Sequence, residues 1–470
     1  MSKYSKIMFI MLVLLFMHCY STTAFPATYY IDYVSGKDAN KGTSKATPWK
    51  RCPGMKGFTG HYSHSAGDKF IFKGGVTWPY VSGGTILTIQ NSGAVGSEDK
   101  YTSDKTWYVG TAWDYPVFDG GNPASVIIGI TTWKTYYEPK SNLIIEYIKI
   151  IRIGEKTSGS GTGISAAYGG SNLHIRYNYL SPNCVDVFHY APSSGTYKDI
   201  YFHHNTIRQT GRLSFATGDS RTSNINIYNN NFEGGWDWSP SGSYHTDGIM
   251  INADGVDDYA LQNTSIYNNF FWGDWQKGGT AFIYISGTAD GSKKGCKNLL
   301  IYNNIIAPSN SSGAGGSAAS GIIVKWGHEN VSIYNNTIDY RSISVKGSYG
   351  IMYYTYVTNV TVKNNIIAGF DNAIGFRNIS GTNVIDNNVF YGNNHLLWDQ
   401  AVNRYDTCAT MQAAGWMTSY CLNSDPKFET PVTPADHGSA EYGLSNGSLK
   451  LQAISPAIGY GADLLKILYY

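Results

Sequence analysis

The segment from Asn224 to Phe232, NINIYNNNF, constrains the fold of this chain most strongly, because variants of it recur along the sequence. The variants SIYNNFF, LIYNNII, SIYNNTI, TVKNNII and VIDNNVF follow it. Aligned on the second asparagine, successive copies are 27, 25, 39, 35, 32, 29 and 23 residues apart. Repeats of such length are typical of a solenoid. The aligned asparagines are Asn178, Asn205, Asn230, Asn269, Asn304, Asn336, Asn365 and Asn388.

Each copy has the alternation of a strand with one buried face, as Ile225 and Ile227 illustrate. The strand ends at the asparagine pair. Asparagine tolerates the left-handed backbone of a sharp corner, and stacked side-chain amides in successive coils can bond to one another. A second apolar run follows in most coils, for example DGIMI at Asp247 and GIIV at Gly321. We therefore expect at least two inward-facing strands in each coil.

These features predict an all-β chain that folds as a single-stranded, right-handed parallel β-helix with capped ends. The segment NLIIEYIKI is in phase with the ladder but has Ile148 at the asparagine position, so the ladder should begin one coil later. The alternative is an all-β sandwich in which each asparagine pair forms a hairpin turn. Eight copies in phase favour the solenoid.

The two ends of the chain differ in composition from the repeats. Lys3 and Lys6 precede a short apolar run, and small residues follow it, which is typical of a secretory signal peptide. We therefore expect a secreted, extracellular or periplasmic protein that is monomeric and has no membrane anchor. The predicted divisions are a signal peptide at 1–24, a cap with irregular coils at 25–140, regular coils at 141–395, and a C-terminal cap with a short helix at 396–470.

Charge and cysteine content exclude some classes of function. The chain has 35 basic and 33 acidic residues, and removal of Lys3 and Lys6 leaves 33 of each, so nothing favours nucleic acid as a partner. Five cysteines remain after residue 24, and an odd number cannot all pair. Cys408 and Cys421 are close enough in sequence to form a disulfide, although both could equally be buried thiols.

Both ends of the chain resemble a known superfamily. The segment from Tyr29 to Lys50, YYIDYVSGKDANKGTSKATPWK, and the ending LKLQAISPAIGYGADL are similar to those of secreted bacterial proteins with the pectin-lyase-like β-helix. That superfamily is rich in polysaccharide lyases and glycoside hydrolases. The resemblance implies the fold strongly and the chemistry weakly.

Aromatic and acidic residues concentrate in the two longest coils, which run 39 and 35 residues. We expect the extra length to leave the solenoid as loops, where rings can stack on sugars and polar groups can hold hydroxyls. Packing of the loops is the alternative role for any one tryptophan. The predicted substrate-binding residues are Trp236, Trp238, Tyr244, Trp272, Trp275 and Arg208.

The sharpest local motif is SYHTDGIMI, which places His245 and Asp247 just ahead of an inward strand. In-phase stacking places Arg212 one coil below it and Asp186 two coils below. HTDG resembles the NTDG segment of polygalacturonases, and this implies a catalytic role for Asp247 alone, because the paired aspartate and the Gly-His-Gly segment of that family have no clear counterparts. A turn-capping carboxylate is the alternative role.

Two chemistries suit this region. A lyase removes the proton next to a uronate carboxylate with a basic side chain, often with Ca²⁺ held by aspartates, whereas a hydrolase needs two carboxylates. We favour a lyase acting on a uronate-containing polysaccharide; a glycoside hydrolase and a non-catalytic sugar-binding protein are the alternatives. The predicted catalytic residues are Asp247, His245 and Arg212, and the predicted Ca²⁺ ligands are Asp186, Asp219 and Asp247. Lys325, His328 and Glu329 close the next coil; they are interpreted as a solvated turn, and the rim of the groove is the alternative.

Overall fold

The structure is a computed structural model, and it describes part of the chain. The described residues are 25–81, 85–121, 126–130, 138–152, 161–181, 186–190, 192, 195–210, 212–216, 221–235, 246–253, 258–275, 280–289, 291, 294–311, 320–341, 347–399, 403–428 and 451–457.

In these residues the strands form three long sheets, and the chain visits sheets A, B and C in turn in each coil. With strands numbered in chain order, sheet A contains β1 Thr28–Ile31, β2 Lys69–Gly74, β5 Asp99–Tyr108, β8 Leu143–Glu146, β11 Leu173–Arg176, β14 Thr196–His203, β17 Arg221–Tyr228, β20 Leu261–Tyr267, β23 Cys296–Tyr302, β26 Glu329–Tyr334, β29 Thr358–Lys363 and β32 Val384–Asp386.

Sheet B follows sheet A after a tight corner. It contains β3 Thr77–Pro79, β6 Val117–Asp119, β9 Lys149–Ile151, β12 Tyr179–Ser181, β15 Thr206–Thr210, β18 Asn231–Gly235, β21 Phe270–Trp275, β24 Ile305–Ser311, β27 Thr337–Asp339, β30 Ile366–Ala368, β33 Asn388–Tyr391 and β36 Cys421–Asn423.

Sheet C completes each coil. It contains β4 Leu87–Thr88, β7 Val126–Gly129, β10 Thr162–Ala166, β13 Asp186–Tyr190, β16 Arg212–Ala216, β19 Ile249–Asn252, β22 Ala281–Ser286, β25 Ser320–Lys325, β28 Tyr349–Tyr353, β31 Asn372–Phe376, β34 His395–Asp399 and β35 Asn403–Tyr405.

The sheets are parallel throughout their described length except at one edge, where β35 pairs antiparallel with β34. This architecture confirms the right-handed parallel β-helix, with three strands in each coil rather than the minimum of two. Alternate residues of each strand point inward, so Ile225 and Ile227 of β17 are fully buried. Phe232 stacks on Phe271 in the next coil at 4.6 Å between ring centroids.

The predicted asparagine ladder lies at the corner between sheets A and B. The Asn269 side-chain oxygen accepts from the backbone N–H of Asn230 at 3.1 Å and from its side-chain amide at 3.0 Å. The Asn269 side-chain amide in turn donates to the carbonyl of Ile227 and to Asn304. The same pattern extends from Asn178 to Asn388, and the N–H of Ile148 donates to Asn178 at 3.0 Å. The ladder and its start are therefore as predicted.

The two asparagines of each pair have different roles at this corner. The second is buried in the ladder, whereas the first has a left-handed backbone, with φ of 53° at Asn229 and 55° at Asn303. A second, outer ladder was missed in the sequence. It links the side chains of Asn224, Asn263, Asn298, Asn330 and Asn359, each six residues before an inner-ladder position.

A short helix and a disulfide lie at the C-terminal end of the solenoid. Helix α1, Cys408–Ala413, lies in the stretch predicted to contain one, and Thr407 caps its N-terminus. Cys408 forms the expected disulfide with Cys421. Cys52 and Cys296 are buried thiols. Among the helices of the described residues, none is long and apolar enough to cross a membrane.

Candidate active site

Connections of very different length lead from sheet B to the start of sheet C. Residues 236–248 join β18 to β19, whereas residues 369–371 join β30 to β31. Asp186, Arg212 and Asp247 lie at this end of sheet C on or just before three consecutive strands, and Asp186 is in register with Arg212. The predicted stacking of these residues is therefore present. The outer face of sheet C, from these connections at the start of its strands to the ends of the strands, is the candidate active site.

Asp247 is 1% exposed and lies two residues before β19. Its Oδ1 accepts hydrogen bonds from the backbone N–H groups of Thr280 at 3.2 Å and Ala281 at 2.8 Å. The carboxylate thus fixes the first residue of β22 in the next coil. It also acts electrostatically on Lys325 and Tyr284, so Asp247 combines the structural role with an influence on its charged neighbours.

Lys325, the last residue of β25, is half-buried on this face. Its Nζ lies 5.1 Å from the ring centroid of Tyr284, 5.1 Å from that of Trp326 and 4.6 Å from that of Tyr354. Burial lowers the pKa of the Lys325 amine below its ordinary value, the Asp247 carboxylate opposes this, and the Arg377 guanidinium adds to it. Lys325 can therefore lose its proton more readily than an exposed lysine.

Arg377 extends this group along the solenoid. Its guanidinium lies 5.0 Å from the ring centroid of Tyr354 and 5.3 Å from that of Trp398. Tyr354 therefore lies between an ammonium and a guanidinium. Arg377 is exposed, so its donors are accessible to an anionic ligand. We refer to Asp247, Tyr284, Lys325, Tyr354 and Arg377 as the sheet C cluster.

Tyr284 is the most buried proton donor of the sheet C cluster, with 5% of its surface exposed. Burial and the nearby Asp247 carboxylate raise the pKa of its phenol to about 12, although a hydrogen bond with Ser286 opposes the rise. Tyr284 therefore keeps its proton at neutral pH. A protonated phenol close to a lysine of lowered pKa is a suitable acid and base pair.

The turn that follows Lys325 is half-buried, and His328 within it is fully buried, so the interpretation as a solvated turn is wrong for His328. His328 is 1% exposed, accepts from the N–H of Cys296 at 2.9 Å and contacts the carbonyl oxygen of Lys325 at 2.7 Å. Burial lowers the pKa of His328 to about 4, so the imidazole is neutral. Trp326 has a left-handed backbone, with φ of 66°.

The other predicted residues within the structure lie on sheet B or in the core. Arg208 pairs with Glu233 and donates to the hydroxyl of Tyr179 at 3.1 Å. Trp272 and Trp275 are part of strand β21, so their predicted placement in a loop is wrong. Trp275 is 3% exposed within the core, and its ring faces are therefore not available to a sugar.

Several predicted residues cannot be placed. Trp236, Trp238, Tyr244, His245 and Asp219 lie outside the described residues, and Arg212 is described by its backbone alone.

The predicted calcium ligands are described only in part, because Asp219 lies outside the described residues. Those residues contain no group of three or more Asp, Glu, His or Cys side chains that could hold a metal ion. Asp247 Oδ1 is engaged by two backbone N–H groups, and the Asp186 carboxylate lies 3.9 Å from the imidazole of His189. Ca²⁺ prefers six to eight oxygen ligands, so Asp186 and Asp247 would need further oxygen ligands to hold it.

Lys325, Tyr354 and Arg377 were missed as site residues, although the sequence contains a signal for them. Each directly follows the second apolar run of its coil, in GIIVK, GIMYY and AIGFR. Because Val324, Tyr353 and Phe376 are in register inside sheet C, the next residue of each strand points outward in the same row. Alignment of these runs would have placed the three side chains together.

Comparison with known proteins gives matches to solved structures alone. No family model matches this chain, and no curated protein matches it. A lacto-N-biosidase of family GH136 from Eubacterium ramulus is 11% identical over 85% of this chain and 67% of that chain, with a TM-score of 0.48. A rhamnogalacturonan lyase is 14% identical over 72% of this chain and 87% of that chain, with a TM-score of 0.32.

A third match is the A-module of the mannuronan C-5 epimerase AlgE6 from Azotobacter vinelandii. It is 13% identical over 77% of this chain and 92% of that chain, with a TM-score of 0.39. Since these TM-scores are below 0.5, the chain's own sheets and asparagine ladder decide its fold. The chain has the right-handed parallel β-helix fold that its repeats predicted.

Proposed function

We propose that this protein is a secreted polysaccharide lyase that cleaves a uronate-containing glycan by β-elimination at the sheet C cluster. The observation that carries the proposal is the enclosure of the Lys325 amine by three aromatic rings, with Arg377 on the far side of Tyr354. Secretion rests on the signal-peptide pattern at the N-terminus.

Arg377 supplies the positive charge that makes the C5–H group of the substrate more acidic. In the proposed complex its exposed guanidinium pairs with the uronate carboxylate, as bidentate arginine donors do. Neutralisation of that carboxylate favours the carbanion that forms when the adjacent C5 proton leaves. The rings of Tyr354 and Trp398 hold the guanidinium, so less side-chain freedom is lost on binding.

Lys325 is the proposed base. Its neutral amine takes the C5 proton, the C5–H electron pair forms a double bond between C4 and C5, and the bond from C4 to the glycosidic oxygen breaks. The departing oxygen needs a proton, and the Tyr284 hydroxyl supplies it. The lysine thus becomes an ammonium and the phenol a phenolate, and transfer through water restores both.

Asp247 has a supporting role in this scheme. Its carboxylate holds the start of β22, the strand that carries Tyr284, and favours the protonated states of Lys325 and Tyr284. Trp236 and Trp238 belong to the connection that leads to Asp247, and they remain proposed contacts for the sugar chain. If all these groups contact one sugar chain, we expect long substrates to be preferred.

The test is a screen of the purified protein on polygalacturonate, alginate, glycosaminoglycans and neutral plant glycans. A lyase produces an unsaturated uronide that absorbs ultraviolet light, together with new reducing ends. New reducing ends without that absorbance would instead support the glycoside hydrolase. Binding without any cleavage would support a non-catalytic sugar-binding protein.

A matched pair of variants ties the reaction to its site. Lys325→Met should remove the ultraviolet signal, whereas Lys363→Met, at the outward end of β29 on sheet A, should keep it. Both proteins should show the same far-ultraviolet circular dichroism. A fully active Lys325→Met would contradict the proposed site.

A further inference from the structure

The residue type at the corner between sheets A and B changes along the solenoid. From Asn229 onward the first position of each corner is asparagine, but in the three preceding coils it is Tyr147, Tyr177 and His204. These residues share the left-handed backbone, with φ of 56°, 55° and 55°. A bulky residue in that conformation is strained, and such strain persists where the surrounding structure enforces it, often at a functional site.

The three rings belong to a continuous aromatic surface. Tyr147 stacks on Tyr177 with centroids 5.3 Å apart, and Tyr177 lies 4.8 Å from His204. Trp113 and Tyr115 lie in the connection from β5 to β6 of the preceding coil. Trp113 is 6.3 Å from Tyr147 and 4.7 Å from Tyr115. All five rings are half-buried, so each exposes part of its surface. We call them the aromatic corner.

Two lysines lie on this surface. The Lys105 Nζ is 5.0 Å from the ring centroid of Trp113 and 5.1 Å from that of Tyr147, and the Lys149 Nζ is 5.1 Å from that of Tyr179. In the described part of the chain neither ammonium has a carboxylate within salt-bridge distance, whereas Glu146 nearby is already paired with Arg176 and Lys100. The two lysine charges are thus available to an anion.

Rings and cations in this arrangement match an acidic sugar chain. The C–H groups of a pyranose can pack against exposed aromatic surface, and its carboxylate can reach a neighbouring ammonium. The corner spans four successive coils at the strand spacing of about 4.8 Å, which is long enough for several sugar units. The aromatic corner lies across the core from sheet C, so one short oligosaccharide cannot occupy both surfaces.

We propose that the aromatic corner is a second, non-catalytic binding surface for an acidic polysaccharide. It shares its class of ligand with the proposed lyase site but uses other residues and another side of the solenoid. Binding there holds the enzyme on the polymer while a different segment enters the sheet C cluster, and two linked contacts strengthen each other.

The test measures binding without turnover. Native gels cast with polygalacturonate or alginate should retard the Lys325→Met protein, and addition of Lys105→Gln and Lys149→Gln should raise the Kd at least tenfold. Tyr177→Asn, which places the residue of the later corners at this position, should weaken binding to a similar extent. Lys363→Gln, a lysine of sheet A beside an asparagine corner, is the matched control and should change nothing.

Three outcomes would overturn the inference. The first is equal retardation of the double-lysine variant and its parent in the polyuronate gels. The second is a loss of binding in Lys363→Gln as large as that in the corner variants. The third is equal retardation in gels that contain single-stranded DNA, which would indicate a general preference for polyanions. Failure of the proposed lyase reaction is a separate result. A wild-type protein that cleaves nothing but loses polyuronate binding in the corner variants would refute the reaction and keep the second surface.

Discussion

Lysine ammonium groups lie over aromatic rings at several places on this solenoid, and two of these, on sheet C and at the aromatic corner, differ in exposure to water. On sheet C, Lys325 is half-buried among three rings, and burial lowers the pKa of its amine. At the aromatic corner, Lys105 is exposed beside rings that are themselves half-exposed. The same pair of groups can thus serve proton transfer where burial lowers the pKa of the amine, and ligand binding where the lysine is exposed.

The first prediction tests the catalytic side of this comparison. Lys325→Met should reduce kcat by about a hundredfold or more, the usual contribution of an acid or base group, with little change in stability. Lys149→Met should leave kcat on short oligosaccharides unchanged and raise KM for long polymers. Steady-state kinetics on both substrates would show this, and a loss of kcat in Lys149→Met would remove the distinction between the two surfaces.

The second prediction concerns the inner asparagine ladder, on the buried side of the corner. Asn269→Leu removes the acceptor of two donors of Asn230, and buried unsatisfied groups cost about 1 to 3 kcal/mol each, so unfolding should become easier by about 2 to 6 kcal/mol. Urea denaturation would measure this. An unchanged midpoint would show that the ladder does not stabilise the coil.

The third prediction concerns pH. The reactive form of Lys325 is the neutral amine, so turnover should rise with pH as the amine loses its proton, with a midpoint below the ordinary value of 10.5. Tyr284 must keep its proton, and its pKa of about 12 leaves it protonated over that range. Lys325→Arg should abolish the rising limb, because arginine stays charged. A flat profile for the native enzyme would argue against a lysine base.

The fourth prediction exchanges the two types of corner. Asn303→Tyr places a bulky residue in a left-handed conformation without the neighbouring rings of the aromatic corner, and it should cost about 1 to 2 kcal/mol of folding free energy. Thermal unfolding against the wild type would measure the loss. Equal stability would mean that the corner tolerates tyrosine freely, and the strain at Tyr177 would then carry no information about function.

The smallest expected effect is that of a chelator. Because the proposed base, acid and carboxylate partner are the side chains of Lys325, Tyr284 and Arg377, EDTA should leave the activity of the purified enzyme unchanged. Activity lost in EDTA and restored by Ca²⁺ would mean that aspartates such as Asp219, outside the described residues, complete a site.

The sequence was sufficient for the fold because one physical requirement repeats in every coil. A left-handed corner and a buried amide must follow each alternating strand, and this leaves the same letters at Asn230, Asn269 and Asn304. The predicted ladder is therefore confirmed residue by residue. The outer ladder was harder to recognise, because Asp199 replaces asparagine in one coil and still accepts from Asn224 at 2.9 Å.

The site was less predictable because catalytic groups obey no repeat. The tryptophans of the long coils suggested a sugar-binding role, but Trp275 is a core residue. Lys325 and Arg377 are ordinary charged residues in the sequence, and only the register between coils brings them to either side of Tyr354. Asp247 was found through a motif, yet its contacts with the next coil could not be deduced from that motif.

The inner ladder also gives the solenoid a direction. Each asparagine accepts from the coil before it and donates to the coil after it, as Asn269 does between Asn230 and Asn304. During synthesis from the N-terminus, the hydrogen bonds of each coil are therefore complete only when the next coil has formed. Truncation after any ladder coil leaves the same two donors without an acceptor, whatever the number of coils. Whole coils can thus be gained or lost in evolution while the growing end of the stack keeps the same chemistry.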